Sequence, residues 1–179
     1  MHRTAKPLML YSMKRPAGFT LIELLITITI MVILMTLAVI SLRGNQASAR
    51  DEERKTDANV IAQQLEAYYQ SGSDPITTYK RGQYPPTDLV NSEANVKLAL
   101  RDLDPKALRS PDVADASPMS FTVATTALDQ TPDVNTYIYQ PLTSANAICQ
   151  TISQECRKFN LFYKMETTGT VQKITSKNQ

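Results

Sequence analysis

Residues Phe19–Leu42 form 24 consecutive positions with a single charge, Glu23. As an α-helix the run would span about 36 Å, enough to cross a hydrocarbon core of about 30 Å. Fifteen of its residues are Leu, Ile, Val or Phe. Together they favour insertion by about 7 kcal/mol, against about 3 kcal/mol or less for one carboxylate near the end of the span. The run therefore predicts a membrane helix. Its threonines, Thr20, Thr27, Thr29 and Thr36, can bond back to the preceding turn and need no outside partner.

The flanks of this run differ sharply in charge. Residues 1–18 carry Arg3, Lys6, Lys14 and Arg15 and no acid, while the rest of the chain has 15 basic and 17 acidic residues. Without its first 18 residues the chain is mildly acidic, a balance that does not support general nucleic-acid binding. Counted beside the helix, Arg3, Lys6, Lys14 and Arg15 face Arg43, Arg50, Arg54 and Lys55, so the positive-inside rule gives a draw on orientation.

Polar sequence without proline follows as far as Pro75. Within it Ala58, Ile61, Leu65 and Tyr68 recur at helical spacing, with Val60 and Tyr69 beside them. The helix is thus expected to continue as an amphipathic one, with Gly44 and Asn45 its weakest point. Asp51-Glu52-Glu53-Arg54-Lys55 is expected to be a solvated face with i,i+4 pairs such as Asp51 with Lys55. Ser71-Gly72-Ser73-Asp74-Pro75 ends the helix. Beyond it, residues 88–103 predict a short helix with Val96, Leu100 and Leu103 on one face. Period-two alternation predicts strands at Ser120–Thr125, Thr136–Gln140, Phe159–Met165 and Val171–Ile174. Strands without βαβ alternation suggest an antiparallel sheet.

Enzyme signatures are missing from the sequence. Its one histidine is His2, its five glycines form no phosphate cradle, and no G-x-S-x-G or zinc-ligand cluster occurs. No cofactor is expected, and the acids Asp129 and Asp133 match no calcium-loop spacing. Two short basic pairs, Lys80-Arg81 and Arg157-Lys158, could touch DNA but read more simply as exposed charge. Cys149 and Cys156 lie seven positions apart. In an exported domain they would form a disulfide, in a cytosolic one two free thiols.

Three features coincide at Gly18: the basic leader ends there, the apolar run starts directly after it, and Glu23 stands five residues on. An ordinary secretory signal is cut beyond its apolar core. A cut before Phe19 would instead keep the helix and create an α-amine one turn from Glu23. A carboxylate in apolar surroundings needs a partner. The new amine, on the same or a neighbouring helix, is the nearest candidate.

Gly18-Phe19-Thr20-Leu21-Ile22-Glu23-Leu24-Leu25 resembles the cleavage and methylation motif of type IV prepilins and pseudopilins. The resemblance is specific over residues 14–42 and looser beyond. It implies cleavage after Gly18 by a prepilin peptidase, N-methylation of Phe19, and contact of Glu23 with the amine of an adjacent subunit. It also implies a single-pass inner-membrane precursor that joins itself and other pilins in an extracellular filament, driven by an assembly ATPase and a platform protein. An exterior head would favour the Cys149–Cys156 disulfide. Many major pilins carry a proline within the apolar segment. This chain has neither Gly nor Pro between Phe19 and Leu42, so major pilin, minor pilin and pseudopilin all stay open, as do motility, adhesion, DNA uptake and secretion.

The expected fold is α+β, a long N-terminal helix packed on a small antiparallel-sheet head. The expected segments are a leader at 1–18, a membrane helix at 19–42, its amphipathic continuation at 43–70 and a head at 71–179. The competing reading is a single-pass anchored surface protein with a small binding domain that does not polymerise.

Overall fold

The structure, a computed structural model, describes residues 18–72, 81–113 and 117–178, apart from the side chains of 40–43. The basic leader before Gly18, the Ser73–Pro75 helix stop and Lys80 lie outside the described residues. The chain divides between Leu42 and Arg43 into two units.

Helix α1 is assigned over Leu21–Ser71. In the first unit its described side chains are all exposed, and its most apolar window has a mean hydropathy of 2.7. The helix is long and apolar enough to cross a membrane. Thr27, Thr29 and Thr36 donate to the carbonyls of Leu24, Leu25 and Ile33 at 2.7–2.8 Å, which keeps their hydroxyls satisfied within the helix. Thr20 behaves differently, as described below.

In the second unit α1 buries Ala58, Ile61, Leu65 and Tyr68, the stripe expected from the spacing, and Ala62 beside them. Gly44 and Asn45 are helical. Gly72 closes the helix with φ +70° and donates to the carbonyl of Tyr68 at 2.8 Å. This is a left-handed cap that glycine adopts without strain.

The stripe packs into one core with the inner face of a four-stranded sheet, including Tyr137, Tyr139, Phe159, Leu161 and Tyr163. The strands are β1 Phe121–Val123, β2 Tyr137–Thr143, β3 Cys156–Lys164 and β4 Val171–Thr175, ordered β1-β2-β3-β4. β2–β3 and β3–β4 are antiparallel, but β1 pairs with β2 in parallel. The sheet is therefore mixed rather than wholly antiparallel. The link at 124–136 is long enough to return the chain to the starting end of the sheet, which a hairpin cannot do.

That link also covers the outer face. Gln140, fully buried there, donates to the carbonyls of Thr126 at 2.9 Å and Leu128 at 2.7 Å and accepts from Asn160. β2 runs through Pro141 to Thr143, past the end expected at Gln140. The helix expected at 88–103 is shorter. α2 covers Glu93–Ala99, with Ser92 accepting from the Asn95 N–H as its N-cap. Val96, Leu100 and Leu103 are buried as expected.

The Asp51–Lys55 segment departs from its expected role as a solvated face. Asp51 is 1 % and Arg54 0 % exposed. Asp51 pairs with Arg54 at 3.0 Å, not with Lys55, which meets Glu52 instead. Asp51 also accepts from the backbone of Glu166 and Thr167 at 2.7 and 2.9 Å and from the Thr167 hydroxyl at 2.6 Å. Arg54 further reaches Glu166, the Val134 carbonyl and the Ser110 hydroxyl. Arg50 clasps Glu166 from the outside. Burial opposes ionisation of Asp51, yet the donors from Thr167, Glu166 and Arg54 hold its pKa below the usual carboxylate value. This lock fixes α1 against the turn after β3 and the 110 and 134 segments.

Candidate functional site

The start of α1 is built by its own sequence. Thr20 precedes the first helical residue, and its hydroxyl accepts from the Glu23 N–H at 3.3 Å while its carbonyl accepts from Leu24 at 3.2 Å. Thr20 is thus the N-cap and Glu23 stands three residues on, the spacing of a capping box. The T-x-x-E pattern was available in the sequence as a signal for this role. The acid in the first turn also complements the positive end of the helix dipole.

Gly18, Phe19 and Glu23 are all exposed, Phe19 by 85 %. A Cβ added at Gly18 would meet nothing within 4 Å. The glycine is therefore not demanded by packing within this chain. Among the described residues the Glu23 carboxylate makes no hydrogen bond or ion pair. Apart from Thr27 and Thr29, the side chains that follow as far as Met35 are apolar, and they stand exposed, Leu24 by 58 % and Met35 by 72 %.

Cys149 and Cys156 are bonded to each other and buried. Their loop joins β2 to β3. It is tied to the segment after α1 by three backbone hydrogen bonds: Tyr84 N–H to Cys156 at 2.8 Å, Thr87 N–H to Cys149 at 3.1 Å, and Asp88 N–H to Gln150 at 3.1 Å. The buried Tyr139 hydroxyl adds a bond to the Pro85 carbonyl at 2.8 Å. Glu66 of α1 accepts from the Tyr84 hydroxyl, from the Lys177 N–H and from Asn178, holding the C-terminal residues on the helix.

Asp129 and Asp133 make no common site. Asp129 pairs with Lys173, and Asp133 accepts from the Val134 N–H. Among the described residues no group of three His, Cys, Asp or Glu side chains could hold a metal ion.

An apolar, wholly exposed N-terminal helix with an acid in its first turn, continued by an amphipathic half packed on a mixed sheet, defines an α+β protein of pilin-like architecture. Residues 13–39 match the family model of the prokaryotic N-terminal methylation motif, the hallmark of type IV pilin and pseudopilin precursors. The match takes in Gly18, Phe19 and Glu23 and leaves the head domain outside it. No curated protein and no solved structure matches the chain. That motif and the long apolar N-terminal helix fit a membrane-anchored precursor of the pilin type.

Proposed function

We propose that this chain is a filament subunit of the type IV pilin class, stored in the cytoplasmic membrane by residues 19–42 and exported into a pilus or pseudopilus. The peptidase removes residues 1–18 and leaves Phe19 as the methylated N-terminus. Residues 43–70 carry the head, 71–179, on the outer side, where the Cys149–Cys156 bond is stable. The carrying observation is the motif over residues 13–39 together with an apolar helix that has no cover of its own. Such a surface needs lipid before assembly and neighbouring helices after it.

Glu23 is the register device. In a bundle of such helices its carboxylate takes the Phe19 amine of the next subunit, while the apolar faces supply cohesion without fixing axial position. Mass spectrometry of the mature N-terminus tests processing: a chain starting at N-methylated Phe19 is expected, and a functional protein retaining Met1 would refute it. Glu23→Ala should insert normally yet form no filaments. Filaments at wild-type level would remove the register role. Absence of filaments from the wild-type chain as well would favour a non-polymerising anchored protein.

A further inference from the structure

Arg81 and the Arg157-Lys158 pair are distant in sequence, and the fold brings Gly82, the neighbour of Arg81, against Arg157. The Gly82 N–H donates to the Tyr69 carbonyl at 2.8 Å, at the end of α1. Arg157 Nη1 donates to the Gly82 carbonyl at 2.9 Å. Gly82 has φ +84°, and an added Cβ would stand 3.4 Å from Arg157 Nη1 and 3.9 Å from the Tyr69 hydroxyl oxygen. Only glycine allows this approach without strain. Exposed Arg81 is thereby joined to the surface that carries Arg157 and Lys158.

That surface encloses an open cleft of about 520 Å³, lined by Tyr69, Ser144, Arg157, Lys158, Lys177 and Asn178. The lining holds three cations and no acid. Glu155 offsets Arg157 at 2.9 Å. Lys158 and Lys177 have no ion-pair partner among the described residues; Lys158 touches only the Asn146 side-chain oxygen, at 3.3 Å. Glu66, behind the cleft, is buried and accepts from Tyr84, Lys177 N–H and Asn178. Three cations in the lining against Glu155 and Glu66 leave the cleft with a net positive charge. Tyr69 is half-buried and braced by Tyr84, with ring centroids 4.7 Å apart, so its ring has a fixed setting beside the cations.

Cations that need a counter-ion, an aromatic ring among them, and an open cleft through which a chain can pass are the parts of a single-strand nucleic-acid site: lysines for phosphates, a ring for a base. We infer that this cleft binds a single nucleic-acid strand through its phosphates, with Lys158 and Lys177 as the phosphate contacts and Tyr69 as the stacking platform. The inference goes beyond filament assembly, does not depend on it, and is measured without filaments.

The test uses the detergent-solubilised full chain and a fluorescein-labelled oligo-dT 20-mer, followed by anisotropy between 50 and 300 mM NaCl. With two to three phosphate contacts the log–log salt slope should be about −1.4 to −2. Lys158→Gln with Lys177→Gln should flatten it by about 1.4 and weaken binding at 50 mM by about tenfold or more. Tyr69→Leu should weaken binding about fivefold or more and leave the slope unchanged. The control pair Lys55→Gln with Lys97→Gln, on other faces, should change neither. Equal loss in the control pair, or an unchanged slope in the Lys158/Lys177 double variant, would overturn the assignment. So would poly-glutamate competing as well as the oligonucleotide, or a duplex of the same length binding as tightly.

Discussion

Replacing Arg54 by methionine keeps most of the volume of its stem and removes its charge from a site with no access to water. Four acceptors each lose one donor: Asp51, Glu166, the Val134 carbonyl and the Ser110 hydroxyl. Removing one partner of a buried pair costs about 3–5 kcal/mol, because the other charge stays buried. Asp51 keeps three donors from residues 166 and 167, and Glu166 keeps Arg50. The expected loss therefore falls near the lower end, about 3 kcal/mol, or roughly 10 °C in Tm for a domain of this size. The pH dependence has a definite sign. Asp51 titrates lower in the folded than in the unfolded chain. Its contribution is present above about pH 4, the unfolded value, and is lost as pH falls through the folded one. Asp51→Asn should therefore cost stability at pH 7 and flatten the acid limb. The chain has eight tyrosines and no tryptophan. Near-ultraviolet circular dichroism of the full chain in detergent thus reads the buried Tyr84, Tyr137 and Tyr139 directly. A Tm drop under about 3 °C for Arg54→Met would refute the lock, since a solvated ion pair contributes no more than about 1 kcal/mol.

Burial, with help from the Glu53 charge, raises Asp57 to about 6, while the Tyr137 hydroxyl at 3.4 Å opposes that rise. The folded chain then holds this proton more tightly than the unfolded one, so stability falls as pH rises from about 4 to 6. Asp57→Asn should raise Tm at pH 7 by the equivalent of about 1 kcal/mol or less, after allowance for solvent screening, and leave it unchanged at pH 3.5, as followed by thermal melts at both values. Cys156→Ser opens a short loop and should cost about 2–3 kcal/mol in urea titrations. In that variant amide exchange should speed up at Tyr84, Thr87 and Asp88, which bond to the loop, more than at the β3–β4 ladder.

Much of the fold was legible because its signals are local. The apolar run, the stripe Ala58, Ile61, Leu65 and Tyr68, and the alternation through Phe159 and Leu161 each report one face of one element. The N-terminal methylation motif is legible for the same reason. A leader, a glycine, an apolar start and one acid within six residues need no tertiary partner, and the Thr20 cap belongs to that same stretch. Where the structure departs from the local pattern, the deciding partner is distant in sequence. Asp51 and Arg54 look like solvated charges until Glu166 and Thr167, more than 110 residues away, supply donors and acceptors that make their burial affordable. The parallel pairing of β1 depends on the path of residues 124–136, which strand periodicity does not encode.

The apolar run with its glycine and glutamate determined by itself that this chain has a helix long and apolar enough to cross a membrane and bears a prepilin-type motif, because hydrophobic length and motif spacing are properties of contiguous residues. Only the tertiary structure decided which charges are buried, how β1 joins the sheet, and that Arg157, Lys158 and Lys177 share a cleft with Tyr69. Those outcomes rest on hydrogen bonds and Coulomb contacts between segments that meet only after the core has closed.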